Sequence, residues 1–302
     1  FFTANIISKG LGFLFIVIAS RLLGPAEFGV LALGLSVTGV ARNLAAFGLP
    51  NTIQRFLSGS GEKRSAQIYG AVLLIGGIAA SFATAVLYIV APWLSVNFFD
   101  EPTLVTPLRI LSISVVVGVG ATMLRSILQA QEQVKWIVIL DTIRSVTKVL
   151  LALLIFVWVQ TAVGAAWAVV GAFGLATLVG WKFVRQLDLQ PSFDGVKTEV
   201  WTVLGYSAPL VVVGFSYFLA QQADRLMLGW LSDVEGVGLY TVTSTLAMVM
   251  STLHGALVSI FMPLASQAYR KNLKEEMEDA YLFVSKWVGA VNGVAFLAFA
   301  GG

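Results

Sequence analysis

The chain has 302 residues, of which 58% are hydrophobic and only 12% charged, with a net charge of +3 and no cysteine. Charged residues make up about 25% of an ordinary soluble domain, so a water-soluble globule is excluded: no single core hides this much apolar surface, and lipid must cover the remainder. Without cysteine there are no disulfides and no thiolate metal sites, and no cofactor, metal or nucleic-acid partner is expected.

Apolar runs of about 20 residues, the length that crosses a bilayer as a helix, occur nine times: at 3–23, 28–50, 66–91, 106–129, 136–158, 162–184, 202–222, 236–261 and 281–300. The first ends in RLLGPAEFGVLAL (21–33), where an arginine, a Gly-Pro turn and one glutamate interrupt the apolar sequence. Lys9 before an apolar run mimics a secretion signal, but Arg21 stands where a small-residue cleavage site belongs, so the first helix is retained. Span two carries Arg42 and Asn43 in GVARNLAAFG. Between spans three and four, LSVNFFDEPT (94–103) sets Asp100 and Glu101 beside Pro102 in a solvated turn.

In span five, Asp141, Arg144 and Lys148 fall at i, i+3 and i+7 on one helical face. They read as an internal ion pair with an interfacial lysine, or as a cytoplasmic-side ramp for a substrate. Span six repeats a small residue every four positions, at Gly164, Ala168, Ala172, Ala176 and Gly180, which lets a neighbouring helix approach closely. The polar segment 185–199 leads to span seven, where Pro209 is positioned to kink the helix. Span eight holds the sole histidine, His254, a packing residue rather than a metal ligand. The chain opens at Phe1 and stops at Gly302 in apolar sequence, and so reads as a fragment.

Lysine and arginine concentrate on the cytoplasmic side of membrane proteins. With the N-terminus inside, 13 of these residues fall inside and 3, Arg21, Arg109 and Arg225, fall outside. Ser60 and Ser192 then belong to inner loops and Ser95 to an outer one.

The opening motif recurs. RLLGPAEFGVL from Arg21 aligns with RLMLGWLSDVEGVGLY from Arg225, pairing Gly29 with Gly238 after a five-residue expansion of the turn. Both copies end an odd-numbered span on the outer side, which implies a six-helix repeat in parallel orientation.

A first helix ending in RLLGPAEFGVLAL, a second running through LAAFGLPNTIQRFLS, and a seventh and eighth reading YSAPLVVVGFSYFLAQQADRLMLGWLSDVEGVGLYTV resemble the polysaccharide-biosynthesis, or oligosaccharide flippase, branch of the multidrug/oligosaccharidyl-lipid/polysaccharide (MOP) exporter superfamily. The resemblance covers essentially the whole chain. It implies an all-α, polytopic transmembrane bundle, a V-shaped transporter of two six-helix lobes, of which this chain holds about nine helices. The first lobe then covers residues 1–184, a cytoplasmic linker 185–200, and the start of the second lobe 201–302. It also implies a multi-pass protein of the plasma (inner) membrane that flips lipid-linked oligosaccharide from the inner to the outer leaflet, alongside glycosyltransferases or a polymerase of the same pathway.

Such a substrate carries a phosphate or pyrophosphate through hydrocarbon, and arginine offers planar, permanently charged donors for it. Arg42, well inside span two with Asn43 beside it, is the first candidate. Arg21 and Arg225, as repeat-related cations, are expected to flank the same cavity, and Arg144 and Lys148 complete the set. A cation-coupled multidrug exporter of the same superfamily is the alternative, but it calls for a deep carboxylate where the deepest charge here is positive. A membrane glycosyltransferase or ligase would need an acid, base or metal-binding pair in a sizeable outer loop, and no Walker-type loop is present for ATP. An enzyme is not expected.

Overall fold

The computed structural model describes residues 2–57, 61–187, 190–247, 278, 281–290 and 292–293, and every regular element among them is helical. Residues 1–241 form one compact unit and 242–302 another. In the second, a helix occupies 281–290, within the ninth expected span. His254, assigned to span eight, lies outside the described residues.

Helix α1 (Phe2–Ala46) holds the first two expected spans as one broken rod. The break is at Gly24, with φ 77° and ψ 170°, a backbone region open essentially only to glycine. Pro25 opens the second half, where its fixed φ and missing N–H suit a helix start. The Gly-Pro dipeptide therefore redirects the chain with no loop at all. Glu27 of the same stretch acts at a distance, its carboxylate accepting the Ala162 N–H at 2.7 Å. That places a negative group on the N-terminus of α6 (Ala162–Arg185), where the helix dipole favours it.

A second break, with Phe47 at φ 49° and Gly48 at φ 66°, ends α1 and starts the short α2 (Leu49–Leu57). Span two was expected to run on to residue 50. Next come α3 (Glu62–Trp93), a π turn at Leu94–Phe98 that follows Pro92, and a 3-10 turn at Pro102–Leu104 capped by Glu101, which accepts from Thr103 N at 3.2 Å. Then follow α4 (Val105–Ala130), α5 (Val134–Phe156), α6, α7 (Val196–Leu231) and a further helix at 234–247.

Five described stretches are long and apolar enough to cross a membrane: Gly10–Leu57, Lys63–Phe98, Pro102–Ala130, Ala162–Arg185 and Val196–Leu231. Helix α5 is 23 residues long but carries Asp141, Arg144 and Lys148. It packs against α1, α4 and α6, since ionisable residues at membrane depth turn to protein or a cavity rather than to lipid. Helix α7 outruns its expected limits of 202–222. Lys197 and Glu199 at its start and Asp224 and Arg225 near its end stop the apolar run without stopping the helix, and Pro209 sits inside it. At 36 residues it is about 54 Å long, more than the ~30 Å hydrocarbon layer.

The small-residue stripe of α6 is buried as expected, at Gly164, Ala168, Ala172, Ala176 and Gly180. A side chain at Gly180 would sit 3.2 Å from Leu124 Cβ of α4. The segment before α7 is pinned to the start of α3: Ser192 N donates to Ala66 O at 2.9 Å, Gln67 Nε2 donates to Asp194 O at 2.7 Å, and Arg64 pairs with Glu199 at 3.2 Å.

Helix α7 runs antiparallel along the second half of α1. Ser36 Oγ lies 2.9 Å from Gln222 Oε1, Phe218 lies against Gly39, Gly214 against Asn43, and Thr52 Oγ1 lies 2.7 Å from Ser207 Oγ. At the far end the first turns of the next helix, from Val234 to Gly238, meet α1 at closest approach. A Cβ on Gly29 would overlap the Val234 carbonyl oxygen, and one on Gly238 would overlap the Pro25 carbonyl oxygen. Pro25 and Gly29 stand to each other as Val234 and Gly238 do, so the two contacts exchange under a local two-fold, the pattern of an isologous interface.

Candidate functional site: a cation-lined cavity

A cavity of about 440 Å³ opens among α1, α5, α6 and α7, and its wall includes Arg42, Arg144, Lys148 and Arg225. No carboxylate belongs to that lining among the described residues. Gly24 makes the cavity reachable by both halves of α1: Gly12 and Phe15 come from before the break, Ser36 and Arg42 from after it.

Each cation is seated differently. The Arg42 guanidinium lies over the Phe173 ring, 4.8 Å from its centroid. The stem of Arg42 passes Gly118 of α4, where a Cβ would come within 2.7 Å of Arg42 Cδ. Arg42 makes no hydrogen bond or ion pair among the described residues, and neither does Lys148, whose Nζ sits 4.4 Å from the centroid of Phe15. The Arg144 guanidinium lies 5.8 Å from the centroid of the Phe173 ring and pairs with Asp141 at 3.4 Å. Asp141 also takes Arg125 Nε of α4 at 3.0 Å. Arg225 Nη1 donates to Gln222 Oε1 at 3.1 Å, which joins this arginine to the Gln222 and Ser36 contact between α7 and α1. Its neighbour Asp224 accepts from Arg225 N at 2.8 Å and from the Tyr240 hydroxyl.

Four of the six residues singled out in the sequence therefore meet: Arg42, Arg144, Lys148 and Arg225. The structure does not bring Arg21 or Asn43 to them. Arg21 is exposed at the end of the first half of α1, and Asn43 turns to Gly214 of α7. Lys148, read as interfacial in one of the two sequence readings, lines the cavity. Residues the sequence did not mark are Phe15, Ser36, Phe173 and Gln222. Of these, Gln222 had a signal, a polar side chain closing an apolar span. The phenylalanines had none among the 20 in the chain.

A family model described as polysaccharide biosynthesis protein matches residues 1–269. The chain belongs to this family. Solved structures of similar fold include a ligand complex of the MATE multidrug transporter DinF-BH, with TM-score 0.67 at 15% identity over 98% of this chain and 71% of that one. A MATE in complex with MaD3S follows at TM-score 0.59 and 16% identity, over 99% of this chain and 71% of that one. An inward-facing multidrug resistance MATE family transporter of the MOP superfamily gives 0.53 at 15% identity, over 98% and 70%. At these identities the likeness is one of fold, an all-α helical bundle shared with those structures. No curated protein sequence matches the chain.

Proposed function

We propose that this family member is a transporter, not an enzyme, and that it carries a lipid-linked oligosaccharide across the plasma membrane from the inner to the outer leaflet. The single observation that carries the reading is the cavity wall of four cations with no carboxylate among the described residues. An anionic phosphate or pyrophosphate linkage is the charge such a wall accepts, and a cationic drug is the charge it repels. The α1–α7 register puts Phe215 level with Arg42, and Arg225 ten residues on, about 15 Å along the helix. With the N-terminus inside, a phosphate rising through the cavity meets Arg42 and Arg144 together at the Phe173 ring, then Lys148 about one turn further along α5, and Arg225 near the outer turn. In this account Arg225 and Lys148 are the upper stations, and Arg21, expected beside Arg225, has no part in the path. The substrate would be supplied by glycosyltransferases and consumed by a polymerase or ligase of the same pathway.

The shared fold with MATE multidrug transporters supports a second reading, cation-coupled drug export. That chemistry calls for an accessible carboxylate in the cavity, whereas Asp141 and Asp224 are bonded to other side chains outside its lining. Complementation separates the two. In a flippase-deficient strain, Arg42→Ala should abolish surface polysaccharide, and Arg42→Lys should restore it partly, because the charge survives without the planar fork. Normal polysaccharide in the Arg42→Ala strain at equal protein level would remove Arg42 from the transport path.

A further inference from the structure

Phe173 of α6 ties the two arginines of the cavity together. The guanidinium of Arg42, from α1, lies over its ring at 4.8 Å, and that of Arg144, from α5, at 5.8 Å, so one ring joins three helices at the cavity wall. Beyond this ring the two arginines part company. Arg144 commits an N–H edge to Asp141. Arg42 commits none among the described residues, and its stem is held against Gly118. An aromatic face attracts a guanidinium through its quadrupole. It consumes none of the five N–H donors, which lie around the edge of the guanidinium plane. A carboxylate in the same place would occupy two donors and cancel the charge.

We infer that Phe173 is a positioning residue: an aromatic seat that fixes Arg42 and Arg144 relative to one another while leaving the donors of Arg42 to a phosphate-type anion in the cavity. The inference rests on the anion-binding reading of the cavity. Leucine keeps the bulk and apolarity of the site but has no quadrupole, whereas tryptophan keeps the quadrupole and strengthens it. A seat and a mere space-filler therefore respond differently to the two substitutions.

The test is calorimetric titration of the detergent-purified full chain with inorganic pyrophosphate. Phe173→Leu should weaken binding about 10-fold, the scale of two cation–π contacts, and Phe173→Trp should stay within about 2-fold of the parent. In an Arg42→Ala background, Phe173→Leu should cost about 3-fold or less, since only the share of Arg144 remains to be lost. Parent-like binding by Phe173→Leu, equal losses for leucine and tryptophan, or an undiminished leucine penalty without Arg42 each overturns the inference while the anion reading stands. No pyrophosphate binding by the parent chain, or full binding by Arg42→Ala, overturns the anion reading and the inference with it.

Discussion

Asp141 holds two arginines with one carboxylate, Arg125 of α4 on Oδ2 at 3.0 Å and Arg144 of its own helix on Oδ1 at 3.4 Å, and only 13% of its side chain is exposed. Arg144 would otherwise face Arg42 and Lys148 with no counter-charge, so Asp141 is what lets α5 carry cations into the bundle. Removing one partner of a fully buried pair costs about 3–5 kcal/mol. Here the cost is smaller, because Arg125 and Arg144 keep 31% and 37% of their side chains exposed. Asp141→Asn keeps the shape and loses the charge, and thermal unfolding in detergent should show a clearly lower midpoint. Arg125→Gln should lower it less, since Arg144 still neutralises the carboxylate. An unchanged midpoint in Asp141→Asn would show that water, not Asp141, balances these arginines.

The crossing at Gly29 and Gly238 is where element geometry is most exacting. Backbone oxygens of Val234 and Pro25 occupy the space a Cβ would need, so neither glycine tolerates even alanine without the helices parting. Overpacking of this kind costs about 1–3 kcal/mol, and Gly29→Ala and Gly238→Ala should lower the unfolding midpoint by similar amounts because their surroundings are two-fold equivalents. Gly174→Ala, whose Cβ would meet nothing within 4 Å, should raise it slightly through helix propensity. A stable Gly29→Ala protein would mean the helices do not cross this closely. The sequence paired Gly29 with Gly238 as related positions; that they also touch is a property of the assembled helices, invisible in either copy alone. The apolar runs of spans three to six and the α6 stripe were legible because each is a local pattern. The length of α7 was not, because charges inside a helix look like a span boundary. Depth in a span can be read from the distance to its ends, which found Arg42. Azimuth around an all-apolar helix cannot: successive residues point about 100° apart, so Arg42 enters the cavity while Asn43 turns to α7.

At the scale of the whole chain, the order in which a substrate meets the cavity's cations follows from orientation. The distribution of lysine and arginine predicts an N-terminus inside, and a cysteine-free chain allows single cysteines to test it. Ser95, an outer-loop residue by sequence, is a poor site for this, since it is fully buried at 0% exposure in the π turn and would stay unlabelled on either side. Thr103 before α4 and Asp194 before α7 are exposed. In intact cells an impermeant maleimide should label Thr103→Cys and should reach Asp194→Cys only after permeabilisation. The opposite pattern would invert the molecule: a phosphate entering from the cytoplasm would then meet Arg225 first and Arg42 last, and the proposed direction of transport along the cavity would be reversed.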